Sequence, residues 1–256
     1  LSRKNISNTK MNNERYKNYF FIGIGGTGMS AIAQFLKGTG VHVSGSDRLF
    51  GSQNKMQIQE QFEKMGIQCF SQDGSGLHSG IDVVIISTAI EDSNIEYQKA
   101  IELGIPVMKR SELLAMISKE RRTIAVGGTS GKSTTTAMIF HKLQQCGYDP
   151  SLMTGAGLTV LQKQGLPGNA WVGKSDWLVI EADESDGSIV NYYPEISVVL
   201  NIDRDHKEFD ELIDLFTTFR SHTHGTFIIN RNHTLLKQLS VDSNNDFGTS
   251  GDTGYS

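Results

Sequence analysis

The chain has 256 residues, 38% of them hydrophobic, with a net charge of −4 and a pI near 6.0. That length favours two domains over one. The basic residues are dispersed rather than massed, which excludes a nucleic-acid surface, and no apolar run approaches the roughly 18 residues of a membrane span. The two cysteines, Cys69 and Cys146, lie far apart and beside apolar patterns; they read as buried free thiols, in keeping with a reducing, cytoplasmic setting. Residues 1–17 are polar, lack the apolar region of a signal peptide and read as a disordered leader.

Tyr19 to Ile24 is a short apolar run that ends in glycines. Gly23-Ile24-Gly25-Gly26-Thr27-Gly28 matches G-x-G-x-x-G and precedes a helical pattern with Met29, Ile32, Ala33 and Leu36 apolar. A second strand, Val41 to Ser44, leads to Asp47, at the spacing of an acid that meets a ribose hydroxyl. Strand, glycine turn, helix, strand and acid together point to a nucleotide diphosphate. Gln57 to Met65 then reads as a helix stopped by Gly66. Ile67 to Phe70 and Ile81 to Ile86 read as strands, the latter ending in Ser87-Thr88-Ala89-Ile90. Ile95 to Leu103 is helical, Ile105 to Val107 a short strand, and Ser111 opens another helix. This alternation predicts a Rossmann-like, doubly wound parallel sheet over residues 18–119.

A second α/β domain is expected over residues 120–256. Thr123 to Val126 is a buried strand, followed by the turn Gly127-Gly128-Thr129-Ser130-Gly131, then Lys132-Ser133-Thr134 and a helical pattern. Glycines let backbone N–H groups converge on one anion, and a helix N-terminus adds positive potential. Lys132 can reach terminal phosphates and the Ser133 hydroxyl can hold Mg²⁺. The strict eight-residue P-loop pattern fails by one position, because Val126 stands where its first glycine belongs.

Gly155 and Gly157 predict a turn near that phosphate site, and 162–174 reads as loop or irregular hairpin. Trp177 to Ile180 is a buried strand running into Glu181-Ala182-Asp183-Glu184-Ser185-Asp186. Four carboxylates in six residues are costly without a compensating cation. Beside a phosphate loop that cation is Mg²⁺, with Glu181, the first acid after the strand, as its ligand. For Glu184 and Asp186 a solvated acidic turn is equally in keeping with the sequence. Ile196 to Ile202 is the next buried strand, and His206 follows its end, where a neutral imidazole could meet a second cation. Asp210 to Phe219 reads as an amphipathic helix and Thr226 to Ile229 as a strand; from Ser240 the sequence is polar.

Three motifs in this order carry a resemblance: Gly128 to Thr134 (GTSGKST), Glu181 to Asp186 (EADESD) and Asn201 to His206 (NIDRDH). The sequence resembles the Mur ligases of peptidoglycan synthesis from about Tyr19 to Asn230. The segments IGIGGTGMSAIA, VSGSD, STAI and IPVMKRSELLA are most similar to the alanine-adding branch. The shorter loop type of that family accounts for Val126. The resemblance implies an ATP- and Mg²⁺-dependent ligase acting on UDP-N-acetylmuramate and an amino acid, L-alanine. It implies that Gly25, Gly26, Thr27, Gly28, Met29 and Ser30 wrap the UDP diphosphate, with Asp47, Thr88, Ala89 and Ile90 nearby. Gly128 to Thr134 would hold ATP, Ser133 and Glu181 one Mg²⁺, and His206 a second. Lys132, Glu181 and His206 are the expected catalytic set. The family has a third, C-terminal domain, expected to be absent from this sequence, so that the fragment alone would be inactive. Two alternatives stay open: a related muramoyl ligase with another amino acid, and an idle nucleotide-binding fragment. A nicotinamide oxidoreductase would use Gly23 to Asp47 but leaves the three later motifs unexplained.

Overall fold

A computed structural model describes residues 16–51, 56–203 and 208–249. The expected leader and His206 therefore lie outside the described residues, except for the leader's last two positions. Two sheets organise the chain. The first has the order β3-β2-β1-β4-β5, built from β1 (Asn18–Ile22), β2 (His42–Asp47), β3 (Gln68–Ser71), β4 (Val83–Ile86) and β5 (Val107–Lys109). All its pairings are parallel. The near-continuous apolar run of β1 follows from burial on both faces. Phe20 and Ile22 pack with Val84, Ala100 and Ile105, while Tyr19 and Phe21 face the helix α1 (Thr27–Gly38). Helices α2 (Gln57–Lys64), α3 (Ile95–Glu102) and α4 (Arg110–Lys119) complete this half. Gly66 ends α2 at φ +76°, as its position after the helix demands.

The second sheet has the order β11-β10-β6-β9-β7-β8. Its strands are β6 (Arg122–Gly127), β7 (Ser151–Met153), β8 (Ala170–Trp171), β9 (Trp177–Glu181), β10 (Ile196–Val199) and β11 (Thr226–Ile229). All pairs are parallel except β7 with β8. Helix α5 (Lys132–Gln145) covers one face through Phe140 against Ile124 and Val179. A four-residue turn of helix, α6 (Thr159–Gln162), adds Leu161 to that face. Helix α7 (Phe209–Ser221) covers the other face through Phe216 and Phe219. In each sheet the chain reverses its direction of growth beside the first strand, and each reversal places a glycine turn at that strand's carboxyl end, where open α/β sheets take ligands.

Several expectations change. Residues 170–171, within the segment read as loop or irregular hairpin, form a short strand antiparallel to the strand 151–153, which lies just before the turn expected at Gly155. The strand expected over Ile196 to Ile202 stops at Val199. Cys69 is half-buried and Cys146, at the end of α5, is exposed, so the second thiol is not the core residue expected. The polar segment after Ser240 is anchored: Asp246 is fully buried, accepting from Ile229 N at 3.1 Å and from the Ser240 hydroxyl at 2.5 Å.

Candidate functional site between the two sheets

The glycine turn after β1 is held by β2. Gly23 N and Ile24 N both donate to Ser46 O, at 2.8 and 2.9 Å. Asp47 Oδ2 accepts from Gly25 N at 3.0 Å and its Oδ1 from Leu49 N at 3.1 Å. Asp47 thus shapes the turn itself. Gly26 is the N-cap of α1; no side chain caps that helix and its first turn holds no acid, which leaves its positive end open to an anion.

The second loop leans on β10. Thr129 N donates to Asn201 O at 3.3 Å, Ser130 N to Asn201 Oδ1 at 2.9 Å, and Asn201 Nδ2 to Ser130 O at 3.0 Å. The Thr129 hydroxyl donates to Asn201 Oδ1 at 2.8 Å and accepts from Asp203 N at 2.9 Å. The amides of Thr129 and Ser130 are therefore engaged by Asn201. The first turn of α5, which begins at Lys132, has no side-chain cap and no acid. Gly128 sits at φ +128°, and a Cβ there would lie 3.1 Å from Asn201 N; only glycine lets the two segments meet so closely.

Lys132 Nζ donates to Gly128 O at 2.8 Å and to Glu184 at 2.9 and 3.2 Å. Glu184 is 5% exposed, so it is no solvated acid. Asp186 pairs with Arg110 of the first domain, Oδ2 to Nη2 at 3.3 Å. Two of the acids in this run are thus paired with one cation from each domain, Arg110 at the start of α4 and Lys132 at the start of α5, where the sequence pattern pointed to Mg²⁺ alone. Burial works against ionisation of Asp183, but the Ser185 hydroxyl and amide, with Lys132 and Arg110 near, outweigh it and hold the carboxyl below its ordinary range.

Glu181 ends β9 beside β6. Its Oε1 accepts from the Thr154 hydroxyl and, at 2.7 Å, from Gly155 N. Among the described residues Oε2 has no hydrogen-bond donor, so one hard oxygen is left for a cation. Among the described residues no three His, Cys, Asp or Glu side chains converge.

A cavity of about 290 Å³ joins the two halves, with Gly26, Thr27 and Gly28 on one side, Lys132, Thr154 and Glu181 on the other, and Arg110 between. Met29 also lines it, as does Ser87; Thr88 and Ala89 are exposed, and Ile90 packs over Gly23. Ser30 is 2% exposed; its hydroxyl donates to Thr27 O and accepts from Asn169 Nδ2. Ser133 and Thr134 border a second cavity of about 460 Å³, along α5 and residues 156–160. Arg110, Thr154 and Asn169 were given no role from sequence. Their side-chain partners across the site lie between 27 and 142 positions away along the chain, so no local spacing marks them.

A glycine-turn domain facing a second glycine-rich loop across one shared cavity defines a two-domain α/β protein. A family model described as Mur ligase family, catalytic domain, matches residues 18–122, and one described as Mur ligase middle domain matches residues 126–253. The chain belongs to the Mur ligase family. The UDP-N-acetylmuramate–L-alanine ligase of Ruthia magnifica subsp. Calyptogena magnifica is 42% identical over 210 residues, covering 80% of this chain and 43% of that ligase. Its namesake from Nostoc punctiforme is 40% identical over 220 residues, covering 78% and 44%. The chain thus spans less than half the length of the curated relatives it matches. Among solved structures, the UDP-N-acetylmuramate-alanine ligase of Thermotoga maritima superposes with a TM-score of 0.79 at 26% identity, over 91% of this chain and 53% of that one. The UDP-N-acetylmuramate:L-alanyl-gamma-D-glutamyl-meso-diaminopimelate ligase of Neisseria meningitides, at 24% identity and a TM-score of 0.75 over 87% of this chain and 74% of that one, shares the fold.

Proposed function

We propose that this chain supplies the sugar-nucleotide and ATP sites of a ligase that joins L-alanine to the carboxylate of UDP-N-acetylmuramate in peptidoglycan precursor synthesis. The observation that carries the proposal is the shared cavity: the open end of α1 and Lys132 with Glu181 face one space. A UDP diphosphate on Gly25 to Gly28 would direct its muramoyl carboxylate towards a γ-phosphate held by Gly128 to Thr134. The carboxylate oxygen attacks that phosphorus, the bond to ADP breaks, and the amino-acid nitrogen then displaces phosphate from the acyl phosphate to form the amide. Two anions must approach in this step, so the residues around them have to offset repulsion. Among the described residues lining the cavity, Lys132 and Arg110 are cations, and each is held by a carboxylate that a phosphate could replace.

The residues fit Mg²⁺: the Glu181 carboxylate and the Ser133 hydroxyl are hard oxygens that would hold one ion, and His206 is the proposed ligand of a second. Bound there, Mg²⁺ would neutralise the transferring phosphoryl oxygens. A nicotinamide oxidoreductase leaves Lys132, Glu181 and their cavity without a task. Cytoplasmic action suits a UDP-linked substrate, and no helix among the described residues is long and apolar enough to cross a membrane. The test is ADP release by the enzyme carrying this chain, with UDP-N-acetylmuramate and a panel of amino acids. Alanine should give the highest rate, and Lys132→Ala should lower it by roughly a hundredfold or more. Turnover retained in Lys132→Ala, or NAD binding in place of UDP-N-acetylmuramate, would refute the assignment.

A further inference from the structure

Asn169 stands just before β8, in the second domain, and is 5% exposed. Its side chain is spent wholly on the first domain. Nδ2 donates to Thr27 O at 2.8 Å and to the Ser30 hydroxyl at 2.6 Å. Oδ1 accepts from Gln34 Nε2 at 2.8 Å, and Gln34 is itself fixed by Ser30 O at 2.9 Å. The backbone of Asn169 looks the other way: its carbonyl accepts from Thr154 N at 3.0 Å. Thr154 in turn holds Glu181 through its hydroxyl, beside the Gly155 amide. One residue therefore connects the first turn of α1, which borders the cavity, to the carboxylate on the cavity's opposite wall.

We propose that Asn169 is a positioning residue that couples the sugar-nucleotide site to the ATP site. The proposal rests on the functional reading above. A buried amide with donor and acceptor both satisfied has one favourable orientation, because any displacement leaves a polar group unpaired in a dry interface. A shift of α1 on binding a diphosphate must then move residue 169, and with it Thr154 and the Glu181 carboxylate, or break these bonds. The link runs equally in the other direction, as binding linkage requires. Gln34 braces the amide and touches neither ligand loop's cavity surface, so it serves as an independent handle.

The experiment measures UDP-N-acetylmuramate affinity by isothermal titration, with and without a saturating non-hydrolysable ATP analogue and Mg²⁺. In the wild-type protein the two affinities should differ by about fivefold or more. In Asn169→Ala that ratio should fall to about one, while affinity for the nucleotide alone stays within about twofold. Should Asn169→Ala fold poorly, Gln34→Met leaves the Asn169 side chain in place but unbraced, and the ratio should fall part of the way. A merely structural role would lower the melting temperature and leave the ratio intact, and that result overturns the proposal. So does a wild-type protein that binds both ligands independently. Hydrogen exchange tests the link without any ligand: amides of 27–31 and 154–156 should both exchange faster in Asn169→Ala. Acceleration confined to one of the two segments also overturns it. A wild-type protein that fails to bind UDP-N-acetylmuramate refutes the functional reading, while the exchange result still decides the link.

Discussion

Glu96 is a carboxyl buried completely in the first domain, bonded to the Ser46 hydroxyl and approached by Gly74 N at 3.3 Å. Burial raises its pKa, against the lowering effect of those two donors. The native state then binds this proton more tightly than the unfolded chain does. Stability from this group falls as pH rises from the ordinary glutamate value through the raised native one, and is fully present only below that window. Relative to wild type, Glu96→Gln should lose this slope: the difference between the two urea midpoints should shift in favour of the variant as pH rises across the window. A pH-independent difference would show that Glu96 titrates alike folded and unfolded. Lys132 and Glu184 illustrate the opposite case, a buried charge made tolerable by a partner. Glu184 occupies the lysine as an anionic ligand would, so the phosphate loop keeps its cation in place before any nucleotide arrives.

At the scale of elements, the loop between β6 and α5 depends on Gly128. Alanine there would adopt φ +128° with its Cβ 3.1 Å from Asn201 N and 3.2 Å from Leu200 Cβ. Gly128→Ala should cost about 1–3 kcal/mol in denaturant unfolding and weaken nucleotide binding, because the end of β10 and the phosphate loop can no longer meet. Unchanged unfolding would show that the loop relaxes freely. Both glycine turns, their strands and their helices were legible in the sequence, because each combines an apolar run, a φ-permissive turn and a helical period. Gly66 and the amphipathic α7 were legible for similar reasons. The antiparallel edge was not: strands of three and two residues carry no period to read, and the glycines around them imitate a loop. The compensation of the acidic run was hidden too. It depends on Arg110, whose partner Asp186 lies 76 positions away along the chain. That the Ser30 hydroxyl bonds Thr27 O and Asn169 was not legible either, because the turn motif says nothing of which face its later residues present.

For the whole molecule, the decisive feature is that the core does not stop at the domain boundary. Phe35 and Leu36 of α1 belong to one buried cluster with Met153, Ala170 and Ala125 of the second sheet. At the end of α1, a Cβ on Gly38 would lie 2.5 Å from Val172 Cγ2, so the helix abuts the second domain without a gap. Domains joined by small polar interfaces move and melt separately; an apolar, hydrogen-bonded interface resists both. Scanning calorimetry should therefore show one transition for the two sheets, with calorimetric and van't Hoff enthalpies that agree. Two resolved transitions would mean that the shared core contributes little.

The short strand β8 has a further consequence, for how this chain can change length. Residues 162–165 are exposed on the surface just before it, the kind of position where insertions are absorbed. Three residues later Gly168 and Asn169 are buried, and β8 must keep its register with Leu152 and Met153. Added residues before Pro167 lengthen a surface bulge, whereas a single residue added after it turns Asn169 out of α1 and exchanges the faces of Ala170 and Trp171. Variation in length is thus confined to one side of a proline, a few residues from a segment that admits none.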